Sequence, residues 1–183
     1  MMHLEPACQA DLSELHSLIE RAYRGDSAKR GWTHEADLLG GQRTDMAALE
    51  ATIADPVQRL LILRDGDEIL ACVTLVDRGG GLVYLGLFTV DPDRQGGGIG
   101  RMMMAAAEDH AVSDLAATRI EMTVLAQRPA LIAWYERRGY SMTGERRPFP
   151  ATDPRFGLPR RDDLEFVVLE KRLSSSGLVS PSP

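Results

Sequence analysis

The residues best placed to do chemistry fall in one stretch, Gln95-Gly96-Gly97-Gly98-Ile99-Gly100-Arg101, which follows the apolar run Leu85-Gly86-Leu87-Phe88-Thr89-Val90 and a break at Asp91-Pro92. Glycines without a Cβ let successive backbone N–H groups converge in one concavity. A helix that starts there adds unsatisfied amides and the positive end of its dipole. Strand, loop and helix together make a seat for phosphates. The spacing narrows the ligand. A Walker loop needs Gly-Lys-Ser/Thr at its end, where this chain has Gly98-Ile99-Gly100-Arg101. A dinucleotide fingerprint Gly-x-Gly-x-x-Gly needs a further glycine where the chain has Arg101 or Met103.

A second group of chemically capable side chains lies between residues 24 and 44, where the apolar period is lost and Trp32, His34, Glu35 and Asp37 crowd among glycines. This segment is a candidate substrate wall, with a solvated connection as the plain alternative. Pro148–Asp163, which carries Phe149, four prolines and several charges, is a second candidate wall. Cys8 and Cys72 form no Cys-x-x-Cys and read as two small buried residues. The four histidines have no metal-ligand spacing, so no metal is expected.

Elements that must position these residues can be read from periodicity. A short opening strand at His3–Ala7 leads to a helix whose apolar face is Leu12, Leu15, Leu18, Ile19 and Ala22, with Asp11 and Glu14 as a capping box. Thr44 or Asp45 caps a second helix, Met46–Ala54, ended by Asp55-Pro56. Arg59–Arg64 turns at Asp65-Gly66 into Ile69–Val76, and a third strand from Leu82 reaches the glycine loop. In the helix after the loop, Ile99, Met103 and Ala106 with Met102 mark the inner side. Arg119–Leu125 is then a strand parallel to the one before the loop. Pro129 opens a further helix closed by Gly139, and strands from Tyr140 and over Leu164–Glu170 complete the chain.

The 183 residues, 44% of them hydrophobic, fit one domain over residues 1–173, and residues 174–183 have the composition of a disordered tail. There is no apolar run of about 18 residues and no basic, apolar start of a signal peptide, so a cytoplasmic protein is expected. A formal net charge of -6 argues against nucleic acid as the main partner, because neutralising phosphates along a polyanion needs a basic face. A local phosphate seat built from backbone amides escapes that objection.

Gln95-Gly96-Gly97-Gly98-Ile99-Gly100 fits Gln-x-x-Gly-x-Gly after a strand ending Val90-Asp91-Pro92, and Trp134-Tyr135 precedes Arg137-Arg138-Gly139-Tyr140. In both features the chain resembles the GNAT superfamily of acyl-CoA-dependent N-acyltransferases. The resemblance covers most of residues 3–172, including the element order β-α-α-β-β-β-α-β-α-β-β. It implies an α/β (α+β) fold: a mixed, mostly antiparallel central sheet of about seven strands with helices on both faces. It also implies an N-acetyltransferase that moves the acetyl group of acetyl-CoA to a small-molecule amine by direct attack, with no membrane partner. Monomer and homodimer both stay open.

Carried onto this chain, the resemblance assigns the pantetheine arm of CoA to the backbone of Phe88, Thr89 and Val90. It assigns the pyrophosphate to the amides of Gln95, Gly96, Gly97, Gly98, Ile99 and Gly100, with Arg101 adding charge. Tyr135 matches the family's general acid, a core aromatic being the alternative, and Trp134 reads as packing. Two positions depart from the pattern. Arg128 stands where an asparagine often contacts the cofactor, and Tyr84 stands where some members carry a glutamate base. The base is therefore sought at His34, Glu35 or Asp37. The acceptor wall is expected at Trp32, Asp37, Tyr84 and Phe149. A non-catalytic acyl-CoA sensor, or an enzyme acting on a protein or peptide amine, is the competing reading.

Overall fold

Two apolar strands that meet at Asp65-Gly66 begin the sheet, where Gly66 takes φ +62° in the turn. In the computed structural model, which describes residues 2–174, they are β3 and β4. In chain order the elements are β1 (Met2–Pro6), α1 (Leu12–Tyr23), a single helical turn α2 (Gly25–Ala28), β2 (Leu39–Gly40), α3 (Met46–Ala54), β3 (Gln58–Asp65), β4 (Glu68–Asp77), β5 (Leu82–Val90), α4 (Ile99–Leu115), β6 (Arg119–Leu125), α5 (Pro129–Glu136), β7 (Ser141–Pro148), β8 (Leu158–Pro159) and β9 (Glu165–Arg172). The main sheet has seven strands in the order β1-β3-β4-β5-β6-β9-β7. Among the described residues only β5 and β6 pair in parallel, as the helical crossover between them requires. The tail expected at 174–183 lies, apart from Ser174, outside the described residues.

Helices cover both faces, and the alternation of β3 shows how. Leu60 and Ile62 pack with α1 and α3 through Leu12, Leu15 and Leu49. Leu61 and Leu63 face α4 and α5 through Met103, Ala107 and Tyr135. A strand covered on both sides reads as a continuous apolar run, and β4 does. Asp45 caps α3, its Oδ1 accepting from the Ala48 N–H at 2.8 Å.

Three local expectations are corrected. The capping box at α1 does not form: Asp11 accepts from the Cys8 N–H and from Arg64, while Glu14 accepts from the Ile69 N–H. Cross-strand partners offered better bonds than the helix terminus did. Met102 is exposed, and the inner face of α4 is Ile99, Met103, Met104, Ala107 and Ala111, because the helical period rotates a three-residue step from Ile99 toward solvent. Cys8 is exposed and only Cys72 is buried, and both are free thiols.

Two irregularities in β5 position the site. Its pairing with β6 covers only Leu82–Tyr84 against Arg119–Glu121, so the two strands part before Val90. On the other side, Leu87 and Phe88 stand opposite the single residue Val73, a bulge in which Leu87 takes φ +49°. An extra residue of this kind bends a strand and re-aims its side chains. The V-shaped gap lies in the centre of the sheet.

A second small sheet is absent from the sequence reading. β2 pairs antiparallel with β8, Leu39 against Pro159 and Gly40 against Leu158. It ties together the two segments expected to be substrate walls. Arg24 reinforces the tie by donating to the Phe156 carbonyl at 3.3 Å.

Candidate active site

The glycine loop forms a cradle at the N-terminus of α4. Gly96 and Gly98 take φ +90° and +84°, a region other residues enter at a cost. Gly98 is the residue before the first helical turn. A Cβ on Gly100 would stand 3.4 Å from the Trp134 ring, so α5 approaches the loop closely there. The loop's own glutamine holds it in place: Gln95 Oε1 accepts from the Trp32 N–H at 2.9 Å, and Nε2 donates to the Val90 carbonyl at 3.3 Å. The strand end is pinned as well, since buried Asp91 accepts from Arg21 at 2.5 Å.

A cavity of about 450 Å³ runs from this cradle along the end of β5 to α5. Asp91 donates its N–H to the Leu70 carbonyl at 2.9 Å. Because bonding alternates along an antiparallel ladder, the backbone of Val90 turns the other way, into the gap left by β6. Phe88, Thr89, Val90, Gln95, Gly96, Gly98, Gly100, Arg101 and Arg128 all line this cavity. Gly97 belongs to the loop without lining it, and the Ile99 side chain is buried in the core below. The Phe88 carbonyl, expected to be free, accepts from the Tyr23 hydroxyl at 2.6 Å.

Arg101, Arg137 and Arg138 converge at the cradle end, and none has a carboxylate partner among the described residues. Arg138 lies over the Trp134 ring, its Cζ 3.4 Å from the centroid. Its Nε is buried without a hydrogen-bond partner. Burial, then the Coulombic push of Arg137 and Arg101, holds its pKa below the ordinary guanidinium value. Like charges gathered without a counterion, beside glycine amides, suit a polyphosphate ligand. Trp134, read as packing, lines the same cavity, and Trp32 stacks against it with ring centroids 6.4 Å apart. Trp32 therefore belongs to this cavity and not to an acceptor wall.

A second cavity, of about 620 Å³, opens on the far side of Tyr135. Its floor is the parted ends of β5 and β6, and its roof includes Leu39, Phe149 and Phe156 from the two tied segments. Tyr84 and Phe149 line it, with the Tyr84 hydroxyl 2.7 Å from Thr123 Oγ1. Tyr23, Phe88, Arg128, Leu131 and Tyr135 face both cavities. Tyr135 is 5% exposed, its ring set edge-on to Phe88, Trp134 and Tyr140. Burial pushes its phenol well above the ordinary value and keeps it protonated.

The base candidates fare differently. His34 lines neither cavity, and its Nδ1 accepts from the Ala36 N–H. Asp37 is exposed, pairs with Lys29 and lines neither. Glu35 reaches the second cavity, but its Oε1 is held by Arg24 and its Oε2 by Arg128 at 3.3 Å. All three side chains of this set are about nine-tenths buried, with Thr33 Oγ1 taking a further Arg128 bond at 2.9 Å. Glu35 is a structural clamp between the loop and α5. Glu35 carries one negative charge against two guanidinium groups, so the set keeps a net positive charge while the clamp fixes Arg128 in place.

The Acetyltransferase (GNAT) family model matches residues 13–140, which span α1 through the glycine cradle to the end of α5 and Tyr140. The chain belongs to the GNAT acetyltransferase family. It is an acyl-CoA-dependent N-acyltransferase, with the seven-stranded, mostly antiparallel sheet expected of such a protein. Among solved structures, this GNAT protein is similar to spermidine N-acetyltransferase from Vibrio cholerae in complex with CoA and spermine. Identity there is 17%, coverage 94% of this chain and 95% of that one, and TM-score 0.68. It is also similar to the ribosomal-protein-S18-alanine N-acetyltransferase from Escherichia coli, at 17% identity, 98% and 99% coverage and TM-score 0.68. No curated protein matches the sequence. Among the described residues there is no group of three or more His, Cys, Asp or Glu placed to hold a metal ion, and no helix is long and apolar enough to cross a membrane.

Proposed function

We propose that this enzyme transfers the acetyl group of acetyl-CoA to the primary amine of a small molecule by direct attack in a ternary complex. One observation carries the reading: a cradle for phosphates and a second chamber lined in part by aromatic rings meet at the buried hydroxyl-bearing ring of Tyr135. Arg101, Arg137 and Arg138, without carboxylate partners among the described residues, and the glycine-lined helix start fit the cosubstrate. Acetyl-CoA, when bound, supplies an acyl group activated as a thioester.

The chain's own residues do the rest. Backbone amides from Gln95 to Gly100, with Arg101, Arg137 and Arg138, hold the phosphates. The cavity wall at Phe88–Val90 holds the pantetheine arm, and the Val90 N–H faces the gap where it can stabilise negative charge developing on the carbonyl oxygen. Tyr135 donates its phenolic proton to the departing thiolate. With both Glu35 oxygens paired and His34 and Asp37 outside the cavities, no side-chain base is assigned. The ammonium proton leaves through water in the acceptor chamber.

Release of CoA from acetyl-CoA across a panel of small amines tests the reading. The expected result is turnover in which kcat/KM rises with pH along each amine's own titration. One ascending pKa common to all amines would place a base on the protein and overturn the water route. Acetyl-CoA binding without CoA release for any amine would overturn the transfer itself.

A further inference from the structure

Charge in the acceptor chamber is distributed unevenly. Two carboxylates and three guanidinium groups line it: Glu35, Asp55, Arg43, Arg78 and Arg128. Glu35 and Arg128 pair with each other, and Glu35 also with Arg24. Asp55 is capped, Oδ1 accepting from the Val57 N–H at 3.0 Å and Oδ2 from Gln58 Nε2 at 2.8 Å. Arg43 and Arg78 have no carboxylate partner among the described residues.

Both of these arginines are placed by aromatic rings that also line the chamber. Arg43 Cζ lies 5.0 Å from the Tyr23 ring centroid, and Arg78 Cζ lies 5.3 Å from that of Tyr84. Tyr23 is fixed by its bond to Phe88 and Tyr84 by its bond to Thr123. A guanidinium seated on a ring keeps its N–H edge free, and that planar fork matches a carboxylate or phosphate. Tyr23 faces the cofactor cavity too, so Arg43, which lines the acceptor chamber alone, lies against a ring that the two cavities share. The remaining wall combines an aromatic pair, Phe149 and Phe166 with ring centroids 5.7 Å apart, with the hydroxyls of Thr44, Thr52, Thr74 and Thr123. A polyamine would meet two satisfied carboxylates and two free cations.

We infer that the acceptor is an amine bearing an anionic group, carboxylate or phosphate, on an apolar body, its anion read by Arg43 and Arg78. The inference rests on the acetyl-transfer reading. It is tested by comparing matched compounds: phenylalanine with phenylalaninamide and phenethylamine, an amino alcohol with its phosphate monoester, and spermidine. CoA release gives kcat/KM, and calorimetry on the CoA-saturated protein gives affinity without turnover. Charge-assisted bonds of this kind make the anionic member of a pair about 10- to 100-fold better in kcat/KM or affinity. Arg43→Gln and Arg78→Gln shrink that ratio toward unity. Preference for carboxylate over phosphate, or the reverse, names the source of the anion.

Anionic amines that bind preferentially without turnover would uphold the acceptor class and remove the transfer. Turnover with neutral amines or spermidine equal to or above the anionic members would uphold the transfer and overturn the acceptor class. So would a ratio that both variants leave unchanged, and so would the absence of any binding preference. A variant that loses its native melting transition is replaced by Arg43→Lys or Arg78→Lys, which keep the charge and lose the fork.

Discussion

Replacing Tyr135 by phenylalanine removes one hydroxyl and nothing else. The ring keeps its edge contacts, with centroids 6.4 Å from Phe88, 5.2 Å from Trp134 and 5.9 Å from Tyr140. No hydrogen-bond partner of that hydroxyl exists among the described residues, so no ground-state bond is broken. The change in stability is then below about 1 kcal/mol, or roughly 2–4 °C in Tm. Catalysis responds differently. A general acid contributes about 100- to 10,000-fold, and the low end applies because a thiolate with a conjugate-acid pKa near 8.5 departs with little help. Tyr135→Phe should lower kcat by about 100-fold, equivalent to about 2.7 kcal/mol. Thiol release from acetyl-CoA measures kcat, and calorimetry should return an acetyl-CoA Kd within about twofold of wild type. Burial raises the phenol's pKa, so the wild-type rate should not fall on the alkaline side until above about pH 10, the unperturbed tyrosine value. A kcat within threefold of wild type would refute the role of Tyr135, and so would a loss explained wholly by weaker acetyl-CoA binding.

Glu35→Ala leaves two buried guanidinium groups unpaired and should cost about 3–5 kcal/mol in urea unfolding, with Glu35→Gln also destabilised. A Glu35→Gln protein as stable as wild type but inactive would restore Glu35 as the base. Gly98→Ala forces a Cβ into the left-handed region, with Arg101 Nη2 3.4 Å away. It should raise KM for acetyl-CoA, the strain being about 1–2 kcal/mol, and an unchanged KM would remove the cradle from phosphate binding. Native protein should react with one equivalent of a thiol reagent at exposed Cys8, and unfolded protein with two, because Cys72 is buried. Burial pushes the Cys72 thiol up to about 12. The unfolded chain releases that proton first, so stability should fall from about pH 9 toward pH 12 by about 1.4 kcal/mol per unit. Cys72→Ala should flatten that slope in alkaline unfolding curves.

What could be read from the sequence was local. Gln95–Gly100 and the strand before it announce themselves because left-handed backbone strongly favours glycine and a helix must start somewhere. Tyr135 sits a short, fixed distance from Gly139. The clamp at Glu35 was hidden, because its partner Arg128 is 93 positions away and neither residue type nor spacing marks the pair. A buried carboxylate in a loop looked like a base until both oxygens were accounted for. Trp134 reaches a cavity for a geometric reason: the parted strands β5 and β6 expose α5 to open space over a wide arc, so neighbouring positions on the helix both line it. Trp32 lines the cradle cavity because its backbone N–H donates to Gln95, a contact 63 positions away that the sequence does not mark.

On the proposed function, the two-rung tie between Leu39–Gly40 and Leu158–Pro159 makes acceptor choice a joint property of opposite halves of the chain. A graft that imports one wall from another acetyltransferase also imports a mismatched rung, and the roof it meant to reshape loses its hem. Redirecting this enzyme to a new amine means transplanting residues 24–44 and 147–163 as one unit, while the cradle at Gln95–Gly100 can stay as it is.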